Sequence, residues 1–194
     1  VIVGTPPTAF PIKTQGTTVL TWTYDDGNGN TVTQTQNVII NDVSDPIPDL
    51  TPLADVTAQC EVSALTVPTA TDNSGGVVTV THDATLPITG ESTTVITWTY
   101  DDGNGNTSTQ TQNVIIDDVS DPVPDVVTLA DIEDDCEAAI TITPSATDNC
   151  AGSITGTTTD PLSYNTQGTH VVTWTYNDGN GNIVTQTQNV YVVD

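Results

Sequence analysis

Aspartates gather at two places in this chain, first at Asp42, Asp45 and Asp49 and then at Asp117, Asp118, Asp121 and Asp125. Carboxylates set this close repel one another unless a cation neutralises them, and an all-oxygen donor set suits a hard ion such as Ca²⁺. A second oxygen-rich pattern, Asp-x-Asn-x-Asn, occurs at Asp26/Asn28/Asn30, Asp102/Asn104/Asn106 and Asp178/Asn180/Asn182. It matches the first three ligand positions of a calcium loop. It lacks the Gly that should follow, and Asn37, Asn113 and Asn189 stand where the bidentate Glu belongs. A polar hairpin turn explains the same loop without metal, and hydrated acids at a linker cost little at high ionic strength. Ca²⁺ is the cofactor these residues point to, with the linker acids ahead of the loops as ligands and Asp25/Asp26 and Asp101/Asp102 as contributors.

The cysteines offer a different chemistry. Cys136 and Cys150 fall in one repeat of the 76-residue period described below, whereas Ser74 occupies the position matching Cys150 and leaves Cys60 without an equivalent partner. A Cys136–Cys150 bridge is expected, worth roughly 3 kcal/mol by closure of a short loop. Cys60 is then a buried, inert thiol in preference to half of an intermolecular bridge. Catalysis is not expected. His82 and His170 occur at unmatched positions, and no nucleophile elbow, zinc signature or phosphate loop is present. An isopeptide staple is excluded for residues 44–194, which contain no Lys.

One basic residue, Lys13, faces 25 acids, for a formal net charge of −24. Such a surface repels nucleic acid and anionic lipid, so neither is an expected partner. It is the surface of a soluble extracellular or salt-adapted protein. No apolar run is long enough to cross a bilayer.

The elements that must position these residues come in copies. Thr-Trp-Thr-Tyr-Asp-Asp-Gly-Asn-Gly-Asn stands at 21–30 and 97–106 and returns at 173–182 with Asn177 for the first Asp, so the tryptophans recur every 76 residues. A fixed period of this size marks a tandem array. Residues 1–43 read as the C-terminal part of one unit, and 44–119 and 120–194 as complete units. Val3-Gly4-Thr5 aligns with Thr155-Gly156-Thr157, so residue 1 falls inside a repeat, and the expectation is a segment of a longer polypeptide. Between units lie Val43-Ser44-Asp45-Pro46-Ile47-Pro48-Asp49 and Val119-Ser120-Asp121-Pro122-Val123-Pro124-Asp125, whose alternating prolines predict short, stiff linkers. Ile96, Trp98 and Tyr100 alternate with Val95, Thr97 and Thr99, which predicts a half-buried strand. The Gly-Asn turn then leads into a strand over 107–116 whose Thr-Gln-Thr-Gln half predicts an edge strand or one leaving the core, able to pair with another chain. Further strands are expected at 77–81 and 65–67. Short strands at this spacing predict an all-β fold of tandem immunoglobulin-like β-sandwich repeats of 76 residues.

These motifs carry a resemblance. Cys60 and Cys136, Pro-Thr-Ala-Thr-Asp-Asn-Ser at 68–74, Pro-Ser-Ala-Thr-Asp-Asn-Cys at 144–150 and Tyr-Asp-Asp-Gly-Asn-Gly-Asn together look like the hyalin repeat (HYR) domain. The Asp-Asn-Cys and Trp-Thr-Tyr-Asp-Asp-Gly-Asn-Gly-Asn combination resembles very large repetitive surface proteins of Bacteroidota, including gliding-type adhesins. The resemblance implies an immunoglobulin-like fold, an extracellular or cell-surface setting and a role in adhesion, and it supplies no enzymatic activity. The family's second Cys lies in the last strand, where this chain has Gln34, Gln110 and Gln186, so the family disulfide does not transfer. The expected function is a structural and adhesive repeat region of a filament or stalk, a mechanical spacer stiffened by calcium. Its partners would be neighbouring repeats, other filament chains or a surface ligand. The rivals are a module binding glycan or protein through its loops, and an accessory region of a secreted enzyme.

Overall fold

The computed structural model describes residues 1–6 and 10–194, and every regular element in them is a strand. The first stretch gives β1 (Gly16–Asp25) and β2 (Thr31–Ile40). Next come β3 (Ile47–Pro48), β4 (Val56–Ala58), β5 (Glu61–Val62), β6 (Ala70–Thr71), β7 (Thr79–His82), β8 (Ile88–Thr89), β9 (Ser92–Asp101) and β10 (Thr107–Ile116). The last stretch holds β11 (Val123–Pro124), β12 (Ile132–Asp135), β13 (Ala138–Ala139), β14 (Ser145–Asp148), β15 (Gly152–Thr155), β16 (Ser163–Tyr164), β17 (Gly168–Asn177) and β18 (Ile183–Val193). The chain is all-β, as its composition requires.

Two compact units divide these elements. One comprises Val1–Leu53, Thr66–Asp83 and Thr97–Thr111. In it β1 and β2 pair antiparallel from Gly16↔Ile40 to Asp25↔Thr31, β3 pairs with β6, and β7 pairs with the end of β9 from Thr79↔Asp101 to His82↔Trp98.

The other unit comprises Ala54–Leu65, Ala84–Ile96 and Gln112–Asp194. Its sheets include β12-β18-β17, β11-β14-β15 and β13-β16. Val172, Trp174 and Tyr176 of β17 alternate with solvent-facing neighbours, and Val190 and Val192 of β18 do the same. Their inward faces meet Ala138, Ala146 and Ile154 from the other sheets in one core. Sheets packed face to face over alternating side chains make a β-sandwich. The hairpin turn between β17 and β18 uses Gly179 (φ 87°) and Gly181 (φ 118°), where a Cβ would be strained.

Three expectations need correcting. The segment 65–67 is not a strand; β6 forms three residues later. The linker prolines do sit in extended backbone, Pro48 and Pro124 in β3 and β11, while Pro46 and Pro122 are fully buried. The strand carrying Thr-Gln-Thr-Gln is no edge, since β10 and β18 are interior in their sheets, with β4 and β12 docked in parallel on their apolar ends. Its glutamines reach backbone carbonyls instead: Gln110 Nε2 donates to Leu50 O (3.0 Å) and Gln186 Nε2 to Val126 O (2.7 Å). Finally, the bridge joins Cys60 to Cys150, and Cys136 is an exposed free thiol. The β14–β15 turn carries Asn149 and Cys150 to the loop that holds Gln59 and Cys60, and Asn149 Nδ2 donates to Gln59 Oε1 at 2.7 Å. The bridge closes a sequence separation of 90 residues. By loop-closure entropy that is worth about 4–5 kcal/mol, more than the short loop expected from sequence.

Candidate metal centre

The Asp-x-Asn-x-Asn loops turn inward on themselves. Asp26 Oδ1 accepts the Asn28 and Asn30 N–H groups (2.8 and 3.1 Å), and its Oδ2 accepts Asn30 Nδ2 (2.7 Å). Asp102 and Asp178 repeat the arrangement with Asn104/Asn106 and Asn180/Asn182. Each Asp thereby caps a Gly-Asn turn. The Asn30 amide holds the Asp26 carboxyl below its ordinary value, helped by the backbone N–H groups. At Asp102 and Asp178 burial pushes the carboxyl up, but the same donors outweigh it and the net shift is downward.

The loops also reach the linker acids. Asn104 Nδ2 donates to Asp42 Oδ2 (3.2 Å) and Asn106 Nδ2 to the Asp42 carbonyl (3.3 Å). Seventy-six residues on, Asn180 Nδ2 donates to Asp118 Oδ2 (3.2 Å) and Asn182 Nδ2 to the Asp118 carbonyl (3.0 Å). A third segment completes each cluster. Asp72, in the Thr-Asp-Asn-Ser turn, brings a carboxylate oxygen within 4.8 Å of those of Asp42 and Asp102. Its counterpart Asp148 lies equally close to Asp118 and to the Cys150 sulfur. That sulfur is in the disulfide and is no ligand.

Asp102, Asp118 and Asp148 are buried, at 5%, 3% and 6% exposure. Asp72 Oδ1 accepts the Ser74 hydroxyl and N–H (2.6 and 2.8 Å). The Ser74 hydroxyl is the main reason its carboxyl sits below the ordinary value, against burial and the Asp102 charge. Asp72 and Asp102 are therefore both ionised at neutral pH. Their carboxylate oxygens lie within 4.8 Å of each other, so the two charges repel. Lys13 is the sole Lys or Arg in the chain. Asp72 Oδ2 and Asp148 Oδ2 are buried without a hydrogen-bond partner among the described residues. A buried carboxylate oxygen left unpaired is costly, and a cation is a partner that suits both oxygens. The donors are hard oxygens, which suits Ca²⁺ and not a thiolate-loving ion.

Of the residues singled out from sequence, the clusters bring together Asp42 with Asp102, and place Asp118 beside Asn180 and Asn182. Asp45, Asp49, Asp117, Asp121 and Asp125 lie outside both clusters. Asp125 instead accepts the Ser145 and Thr147 hydroxyls, which hold its carboxyl low. The sequence reading did not single out Asp72 and Asp148, although Thr-Asp-Asn recurs at the common period. His82 packs edge-on against Trp98, and His170 stacks on Tyr164.

No family model matches the sequence. The chain is 32% identical over 158 residues to hyalin from Lytechinus variegatus, covering 74% of this chain and 29% of that protein. With hyalin from Strongylocentrotus purpuratus it shares 33% identity over 153 residues, covering 69% and 12%. The chain thus carries hyalin-repeat-like sequence and spans less than a third of either relative. Among solved structures it is similar to Drosophila N-cadherin EC1-4, with a TM-score of 0.40 and 14% identity over 91% of this chain and 57% of that one. Mouse Cadherin-23 EC22-24 follows at 0.35 and 15% identity, over 91% and 74%. An endo-fucoidan hydrolase of glycoside hydrolase family 107 scores 0.32 at 14% identity, over 99% and 37%. No helix among the described residues is long and apolar enough to cross a membrane.

Proposed function

We propose that this chain is a structural and adhesive repeat region of an extracellular filament or stalk, working as a mechanical spacer that calcium stiffens. The observation that carries this reading is the recurrence, at one 76-residue period, of the same aromatic hairpin together with the same junction carboxylates. Repetition builds length, not a unique pocket. Ca²⁺ would be held by Asp42, Asp72 and Asp102 in one cluster, fastening a linker, a turn and a hairpin loop to one point, and by Asp118 and Asp148 in the other, fastening a linker and a turn. The similarity to hyalin supports the adhesive setting, and the resemblance of the Asp-Asn-Cys and Asp-Asp-Gly-Asn-Gly-Asn motifs to large gliding-type surface adhesins of Bacteroidota supports a parent of that kind. Its partners are neighbouring repeats of the same polypeptide and, laterally, other filament chains or a surface ligand. The chain performs no catalysis in this reading.

Small-angle scattering and thermal melting of the chain in Ca²⁺ and in EDTA test it. Calcium should raise the melting temperature and narrow the spread of dimensions, by about 2.7 kcal/mol of stabilisation per site at a free concentration 100 times Kd. Identical dimensions and melting in both would reduce the acids to a solvated surface.

A further inference from the structure

We propose that the Cys60–Cys150 disulfide preassembles the divalent-cation site at Asp118 and Asp148, so that the chain holds two calcium positions of unequal affinity. The inference rests on the calcium reading above and deepens it.

The second cluster is built around the bridge. Asp148 is 6% exposed, and its Oδ1 accepts the N–H groups of Cys150 and Ala151 at 2.8 Å each, while Oδ2 has no partner among the described residues. The bridging sulfur of Cys150 lies within 4.8 Å of the carboxylate oxygens of Asp118 and Asp148. Beside the bridge, Gln59 Oε1 accepts both Ser120 Oγ and Asn149 Nδ2 at 2.7 Å. Ser120 N–H in turn donates to Asp118 Oδ1 (3.1 Å). The segment bearing Asp118 and the turn bearing Asp148 are therefore fastened to one anchor, Gln59-Cys60, by a covalent bond and two hydrogen bonds. Glu91 adds further negative charge, its Oε1 accepting the Asp118 N–H at 2.6 Å.

The first cluster lacks the bond. Ser74 stands in place of Cys150, and its hydroxyl donates to Asp72 Oδ1 at 2.6 Å. The turn meets the linker through Asn73 Nδ2 to Ser44 Oγ (2.7 Å). Ordering ligands at the moment of binding costs affinity, and fixing them beforehand removes that cost. The bridged site starts with its carboxylates fixed, so it binds Ca²⁺ more tightly.

Calorimetric titration of the EDTA-stripped chain with CaCl₂ tests the proposal. The wild type should show two events. Asp148→Asn should abolish the tighter one, and Asp72→Asn the weaker one. Replacing both bridge cysteines (Cys60→Ser with Cys150→Ser) should weaken the Asp148-dependent event about tenfold and leave the Asp72-dependent event unchanged. Adding those replacements to Asp148→Asn should change calcium binding no further, which a merely destabilising loss would not reproduce. Should the bridge-free variant fail to fold, the folded wild type is treated with a dithiol, which supplies the two electrons and two protons that turn the bridge into two thiols, and the same tenfold loss is expected. Both events unchanged on breaking the bridge would overturn preassembly by the disulfide and leave the calcium reading standing. No calcium heat in the wild type would overturn the calcium reading itself, and preassembly with it.

Discussion

The hairpins β1–β2 and β17–β18 carry nearly the same residues and yet bury them differently. Trp22 Nε1 donates to Gln36 Oε1 at 2.9 Å and Trp174 Nε1 to Gln188 Oε1 at 3.1 Å; the Tyr24 and Tyr176 hydroxyls donate to Gln34 and Gln186 in the same way. Trp174 and Tyr176 are nevertheless 2% and 0% exposed, while Trp22 and Tyr24 are only half-buried. What differs is the far end of each glutamine. Gln188 Nε2 donates to Ala130 O (2.9 Å) and Gln186 Nε2 to Val126 O (2.7 Å), and β12 lies parallel on β18. For Gln34 and Gln36 the matching positions fall before residue 1 of this sequence, and the structure gives the aromatic bonds alone among the described residues. The aromatic–glutamine pairs thus belong to the hairpin, and the burial belongs to a segment some 60 residues earlier in the chain.

The largest way to break this comparison is to delete the aromatic. Trp174→Ala should destabilise its unit by about 3–5 kcal/mol, the cost of emptying a packed site, and Trp22→Ala by well under half of that. Chemical denaturation read by far-UV circular dichroism decides it, and equal losses would show that coverage does not set the contribution. Next in size is Gln188→Leu. It leaves the buried Trp174 N–H and the Ala130 carbonyl without their partner, a loss of about 1–3 kcal/mol, whereas Gln36→Leu should cost less than about 1 kcal/mol. The same unfolding curves test both, and a neutral Gln188→Leu would remove the glutamine from the account.

The smallest effect lies in the acid limb and should be shared by the two hairpins. The Asn30 amide lowers Asp26, and Asn182 with the backbone donors lowers Asp178 despite its burial, each below the ordinary value of 3.8. A carboxyl lowered on folding contributes stability that is present above its unfolded pKa and lost as pH falls through the folded one. Both loops should therefore keep their contribution at pH 5 and lose it below 3.8. Carboxyl-carbon NMR titration should place both groups low. Asp26 titrating at the ordinary value would tie the loop geometry to what covers the hairpin.

Local periodicity made the hairpins legible. Trp98 and Tyr100 point inward and their threonines outward because a strand alternates, and the Gly-Asn turn follows from the residues that tolerate positive φ. The fate of Gln110 and Gln186 was not legible, because their acceptors are backbone carbonyls about 60 residues away and no local pattern encodes that. The disulfide misled for a related reason. Pairing within a repeat favours Cys136 with Cys150, whereas the β14–β15 turn reaches back to Cys60 across the repeat frame. Asp42 and Asp118 could be chosen by their crowding in the linker, but Asp72 and Asp148 sit alone in their turns and become neighbours only when the strands fold.

The separation of 90 residues spanned by Cys60 and Cys150 bears on how the polypeptide yields when pulled. Tension entering at one end and leaving at the other passes through the sulfur bridge and bypasses the chain between the two cysteines. However far the strands in that loop unravel, the loop withholds about 300 Å of contour length at 3.3–3.6 Å per residue. The stretch before Cys60 and the stretch after Cys150 remain free to pay out, so the bridge divides the chain into extensible ends and an inextensible middle.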